Sequence, residues 1–228
     1  MAFELDKVVP WGRSLAEYTA MFALNEEDLK KRILGCGDGP ASFNAELTAK
    51  GGSVVSIDPL YQYNAEQIST RFKETYDEVM VKTAENADEF VWKHIGSVEE
   101  LGKIRTRAMQ DFIADYPDGK AEGRYINGST EALPFEDDAF DLGLSSHFLF
   151  LYSQLLDLDF HIESLTEMCR VCQEIRTFPL LQLGTTPSPL VEPVQEYFEK
   201  KGRYSVSIQK VPFEFQKGGN EMLVIKRH

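Results

Sequence analysis

Gly35, Gly37 and Gly39 alternate within Lys31-Arg-Ile-Leu-Gly-Cys-Gly-Asp-Gly-Pro-Ala-Ser-Phe43, and Ser53-Val-Val-Ser-Ile-Asp58 follows. Glycine leaves no Cβ in the way, so a ligand can approach main chain closely there. A helix opening after such a loop aims its free amides and its dipole at the same point. Asp58 lies 19 residues beyond Gly39, where a carboxylate can accept hydrogen bonds from ribose hydroxyls. Together these residues describe the first half of a nucleotide-binding βαβ unit that takes an adenosine-type ligand. A plain strand-to-helix turn would explain the glycines but not Asp58. His147 is the second group able to do chemistry. It titrates near neutrality and follows the apolar run 141–145, at the strand end where such sheets bind ligands. That makes it a candidate general base; the alternative is a helix-start histidine bonded to main chain.

The elements that must position these groups follow from hydrophobic spacing and punctuation. The pattern predicts a Ser14-capped helix over 14–31, a strand over 32–35, a helix over 40–50 closed by Gly51-Gly52, and a strand over 53–58 stopped by Pro59. Residues 60–120 carry no convincing strand and read as helices over 64–80, 84–94 and 97–115, ending in the turn Tyr116-Pro-Asp-Gly119. Strands follow at 124–127, 141–145 and 173–178, with a loop over 128–140 and helices over 157–170 and 191–201. Two alternating strands, 204–212 and 220–227, flank Lys217-Gly-Gly219 and have no helix between them, so they should pair as a hairpin. The expectation is an α/β chain of one domain, residues 1–228, with an N-terminal helix and a helical insert at about 60–120.

This order of elements resembles the class I S-adenosylmethionine-dependent methyltransferases of small-molecule type. Three stretches carry the resemblance: Ile33-Leu-Gly-Cys-Gly-Asp-Gly-Pro-Ala41, Val55-Ser-Ile-Asp58, and Glu131-Ala-Leu-Pro-Phe-Glu-Asp-Asp-Ala-Phe-Asp-Leu142. It implies a Rossmann-like, seven-stranded, mostly parallel sheet with an antiparallel C-terminal strand and helices on both faces. It further implies S-adenosyl-L-methionine as cofactor. Gly35, Cys36, Gly37, Asp38 and Gly39 would lie under its methionine and ribose, and Asp58 would hold the ribose hydroxyls. Pro59 and Leu60 would lie near the adenine, with Ser129, Thr130 and Glu131 at its edge. Ser145, Ser146 and His147 would face the sulfonium and the acceptor. Two acids habitual in the family are replaced: the strand-1 position is Ile33 or Gly35, and the position after strand 3 is Ser129. Asp38, inside the loop, is able to stand in for the first. Val9-Pro-Trp-Gly-Arg-Ser-Leu15 and the insert fall outside the family pattern. Arg13 and Tyr18 could roof the pocket, although a surface arginine and a packing tyrosine are the simpler reading.

Charge and cysteine usage exclude other classes. A formal net charge of -13 gives a nucleic acid or an anionic membrane no basic surface to bind. No apolar run reaches membrane-spanning length, and the first residues lack the pattern of a signal peptide. Three cysteines, Cys36, Cys169 and Cys172, suit a reducing, cytoplasmic setting, and Cys169 and Cys172 continue an apolar helical stripe instead of forming a redox or zinc pair. The expected reaction is methyl transfer to a small molecule, without metal. The rivals are a catalytically degenerate binding fold, suggested by the two replaced acids, and a nicotinamide-dependent oxidoreductase, which fits the terminal hairpin poorly. The acceptor and the oligomeric state are not legible.

Overall fold

The computed structural model describes residues 11–228, so Val9, Pro10 and the N-terminal segment lie outside the described residues. Ser14 and Glu17 cap each other reciprocally and start α1 (Leu15–Met21). The expected helix over 14–31 is cut short there. Ala23 takes φ 47, and Asn25 Oδ1 accepts from the amides of Glu27 and Asp28, starting a separate 3-10 turn.

Seven strands form one sheet: β1 (Arg32–Cys36), β2 (Ser53–Ile57), β3 (Tyr125–Ile126), β4 (Phe140–Ser146), β5 (Cys172–Phe178), β6 (Tyr204–Lys210) and β7 (Glu221–Arg227). Their spatial order is β3-β2-β1-β4-β5-β7-β6. β1 pairs in parallel with both β2 and β4, which sets Gly35 between Ser56 and Leu144. β7 runs antiparallel to both β5 and β6, as the resemblance implied. Successive residues of β1 point to opposite faces. Ile33 joins a core with α1 and α2 (Phe43–Ala49), while Leu34 joins a second core with α5 (Leu158–Val171) and α6 (Val191–Lys200). Helices therefore cover both faces of the sheet.

The insert differs from its expected form. It holds two long helices, α3 (Ala65–Glu85) and α4 (Val98–Ala121), instead of three. Residues after α3 are drawn off the helical path by Phe90, which bridges to Gln216 and stacks on Phe215 at 4.6 Å. The expected turn at Tyr116-Pro-Asp-Gly119 is helix interior. A proline there costs about 3 kcal/mol. Tertiary contacts override it: Tyr116 packs with Tyr61, Phe112 and Tyr125, and its hydroxyl donates to the carbonyls of Tyr61 and Tyr63 at 3.0 and 2.8 Å. Lys120 Nζ donates to the Tyr61 carbonyl at 2.6 Å. The insert thus clamps the chain just downstream of Asp58. Residues 127–139 form a loop, pinned by Arg170, which donates to the carbonyls of Leu133 and Phe135.

The cysteines are all free and buried, and burial pushes the Cys169 thiol up to about 12. Among the described residues no cluster could hold a metal ion, and no helix is long and apolar enough to cross a membrane.

Candidate functional site

The parallel strands end on one edge of the sheet, and the chain leaves β1 and β4 toward opposite faces there. Open α/β sheets bind ligands at such a divergence. A cavity of about 690 Å³ opens at this point. It is walled by the loop after β1, the chain after β2, the 129–131 loop, the end of β4, and side chains from α1 and α3.

The glycine loop is fixed from three sides. The Gly37 amide donates to the Ile57 carbonyl at 2.9 Å, and Tyr61 Oη donates to the Gly39 carbonyl at 2.7 Å. The Gly39 amide donates to Asp58 Oδ2 at 2.8 Å, while the Leu60 amide donates to Oδ1 at 2.7 Å. Gly37 and Gly39 have φ of 68 and 54, a region that strains residues carrying a side chain. A Cβ on Gly37 would lie 2.6 Å from the Phe148 ring, whereas one on Gly39 would meet nothing within 4 Å. The loop floor is therefore bare main chain beside a carboxylate, with room above Gly39. Burial pushes the Asp58 carboxyl up, against the two amides that hold it down.

Asp38 folds back under the loop. Tyr18 Oη donates to its Oδ1 at 2.7 Å and Ser56 Oγ to its Oδ2 at 2.7 Å; Asn44 Nδ2 donates in turn to Ser56 Oγ at 3.1 Å. A Cβ on Gly35 would sit 1.8 Å from Asp38 Oδ2. The space beside strand position 35 is thus filled by a carboxylate delivered from position 38. Burial pushes this carboxyl up to about 6, with the Asp58 charge adding to the rise and the Tyr18 and Ser56 bonds opposing it.

His147 closes the far wall. It has φ 52, its amide donates to the Phe178 carbonyl at 2.6 Å, and its Nδ1 lies 2.9 Å from Ser146 Oγ. Burial and the charges of Arg13 and Arg105 hold its pKa well below the usual value. A neutral imidazole of low basicity can accept a hydrogen bond but stores a proton poorly at neutral pH.

Of the residues expected from sequence, Gly37, Asp38, Gly39, Asp58, Pro59, Leu60, Ser129, Thr130, Glu131, Ser146 and His147 line the cavity. Gly35, Cys36 and Ser145 do not. Gly35 lies beneath Asp38, Cys36 points into the core with Leu34 and Ile57, and Ser145 is buried on the strand face opposite Ser146. The hydroxyls of Thr130 and Ser129 are engaged by Ser164 and Glu131. Arg13 is not a surface residue: its side chain is 12% exposed and lines the cavity. Tyr18 both packs, stacked on Phe43 at 4.2 Å, and reaches the site through Asp38. Sequence reasoning missed Trp11, Gln62, Tyr63, Gln67, Ile68, Arg71 and Phe160 as lining residues. Gln67 and Ile68 precede Arg71 by four and three positions on α3, so the three share one helical stripe that turns toward the cavity.

The strand order with a reversed β7, helices on both faces and the glycine loop at the β1 end define a Rossmann-like protein of the class I methyltransferase fold. The chain belongs to the family of the uncharacterized protein MJ0045 of Methanocaldococcus jannaschii, to which it is 36% identical over 225 residues, 98% of each chain. It matches no protein-family model. The solved structure of the PH0226 protein from Pyrococcus horikoshii OT3 shares the fold at TM-score 0.50 and 12% identity, over 93% of this chain and 90% of that one. Magnesium protoporphyrin IX methyltransferase (ChlM) from Synechocystis PCC 6803, solved with bound SAM, aligns at TM-score 0.48 and 9% identity, over 94% of this chain and 78% of that one.

Proposed function

We propose that this chain is an S-adenosyl-L-methionine-dependent methyltransferase acting on a small-molecule acceptor. The observation that carries the reading is Asp58, held by the amides of Gly39 and Leu60 at the rim of a cavity floored by bare glycine main chain. This donor set fits a ribose diol: each carboxylate oxygen keeps a lone pair free beyond its amide bond. Asp38 offers the buried negative charge that a methionine ammonium needs, in place of the absent strand-1 acid.

When bound, S-adenosyl-L-methionine supplies a sulfonium-activated methyl group that a nucleophile displaces in line. The protein's part is then orientation and exclusion of water. The Gly37–Gly39 loop and Asp58 orient; Phe148 and Phe160 wall off solvent. His147 accepts a hydrogen bond from an acceptor hydroxyl or amine and so aims its lone pair, while its low basicity leaves the released proton to pass to water. The charge of -13 and the free, buried cysteines support a cytoplasmic protein with no nucleic-acid or membrane partner.

Calorimetric titration with S-adenosyl-L-methionine, with NADH as control, tests the reading. Saturable binding that Asp58→Ala weakens by at least tenfold is expected, with no heat from NADH. Absence of binding up to millimolar concentration would sink it.

A further inference from the structure

Behind His147 lies a second cavity of about 100 Å³, lined by Val79, Thr83, Phe90, Leu151, Tyr152 and Phe215 and reached past Trp11, Arg13 and His147, which line both cavities. Its body is apolar, but its mouth is not. The segment 11–14 that carries Trp11 and Arg13 is pinned in place. A Cβ on Gly12 would lie 1.9 Å from the Pro40 carbonyl oxygen, and the Phe43 amide donates to the Arg13 carbonyl at 3.3 Å.

Three charges meet around Arg13, of which Arg13 itself lines the mouth. Glu17 takes both guanidinium arms of Arg105, at 2.7 and 2.8 Å, and this pair is 10% and 1% exposed. Arg13 lies 4.0 Å from the same carboxylate, and its Nη1 donates to the neutral Trp11 carbonyl at 2.7 Å. Among the described residues two guanidinium groups therefore share one carboxylate in a buried setting, with a surplus of one positive charge. Burial and the Arg105 charge push the Arg13 pKa down to about 9. Among the described residues, Trp11 Nε1, Arg13 Nε and Arg105 Nε are buried donors with no hydrogen-bond partner. Buried donors are ordinarily satisfied, so the two carried by residues lining both cavities, Trp11 Nε1 and Arg13 Nε, mark the place of a missing acceptor.

We propose that this mouth is an anion subsite, and that the acceptor is a small monoanionic organic acid with a flat apolar body. The carboxylate pairs with Arg13 and takes the indole N–H of Trp11. The apolar body enters the second cavity against Phe90 and Phe215, beside His147. A single surplus charge matches a monoanion better than a dianion, because a second negative charge would be buried without a partner. The acceptor role rests on the methyl-transfer reading, whereas the anion subsite does not require it.

Calorimetry on the full-length protein tests the subsite with benzoate, its neutral counterpart benzamide, and inorganic phosphate as probes. Saturable benzoate binding at least tenfold tighter than that of benzamide or phosphate is expected. Arg13→Gln should abolish that preference and Arg13→Lys should retain most of it. Equal binding of benzoate and benzamide overturns the proposal, as does phosphate binding as tightly as benzoate or unchanged benzoate affinity in Arg13→Gln. The wild-type comparison decides the matter even where a variant folds poorly. Titration of the same preparation with S-adenosyl-L-methionine separates the two readings. Benzoate binding without cofactor binding upholds the anion subsite and sinks methyl transfer; cofactor binding without benzoate binding does the reverse.

Discussion

Replacing Gly35 with alanine probes the seating of Asp38 directly. The new Cβ would lie 1.8 Å from Asp38 Oδ2 and 2.5 Å from its Cγ, so the carboxylate must shift off its seat. Forced overpacking costs about 1–3 kcal/mol. Removing the carboxylate from Tyr18, which is 1% exposed, orphans a buried hydroxyl at a further cost of about 1–3 kcal/mol. The lower chain entropy of alanine returns less than about 1 kcal/mol. With the shifted carboxylate still buried, Gly35→Ala should therefore destabilise by about 1–6 kcal/mol, read as a lowered urea midpoint at pH 7.5 by the fluorescence of Trp11 and Trp92. Asp38→Ala has a different balance. It orphans the same hydroxyl, but it also removes a carboxyl that burial pushes from 3.8 to about 6, a cost to the anion of about 3 kcal/mol. Its net effect should stay within about 2 kcal/mol of zero. In that background Gly35→Ala meets no carboxylate and should cost less than about 1 kcal/mol. The coupling is then about 1–3 kcal/mol, and contacting residues commonly show such values. Equal costs of Gly35→Ala in the two backgrounds would refute the seating.

Asp38 also sets a pH dependence. Its folded pKa lies above its unfolded one, so the cofactor-free fold gains stability from this group as pH falls from about 6 toward 3.8; over the same range affinity for S-adenosyl-L-methionine should drop, because a neutral carboxyl no longer attracts its ammonium. Titrations at several pH values check this, and Asp38→Asn should flatten the profile. Glu17→Gln leaves Arg105 buried without a counter-charge and should lower stability by about 3–5 kcal/mol by chemical denaturation. In the wild type the Arg105 charge offsets burial and holds the Glu17 carboxyl down to about 2, so that stability should be fully present above about 4.5 and lost between 4.5 and 2. All three thiols should resist a disulfide-exchange reagent in the native protein and react together on unfolding, since burial pushes each one up.

Local signals that agreed with the packing were legible in the sequence. The β1–loop–α2–β2 unit, Asp58 and the C-terminal hairpin are short-range features whose residues meet their partners within about 20 positions. The insert was harder to read. Pro117 and Gly119 carry a genuine turn signal, and distant partners hold that stretch helical: the carbonyls of Tyr61 and Tyr63 and the packing of Tyr116 against Tyr61 and Tyr125. Phe90 belongs to a helical pattern until Phe215, far along the chain, takes it. Arg13 reads as surface because the Arg105 that engages its neighbour Glu17 joins from 88 positions along the chain. Gly35 and Asp38 were both visible, but their contact was not. A loop that turns back on its own strand leaves no period in the sequence.

That contact also constrains how this lineage could have arisen. A side chain at position 35 collides with the acid at position 38, so the two sites can be exchanged in one order only. Starting from this chain, position 38 must change first, through an intermediate with neither acid in place. Departure from the present arrangement runs through an intermediate that lacks the buried negative charge, and selection for that charge would bar the route. Gly35 and Asp38 should therefore be inherited together among close relatives, as a joint character whose history depends on the order of two steps.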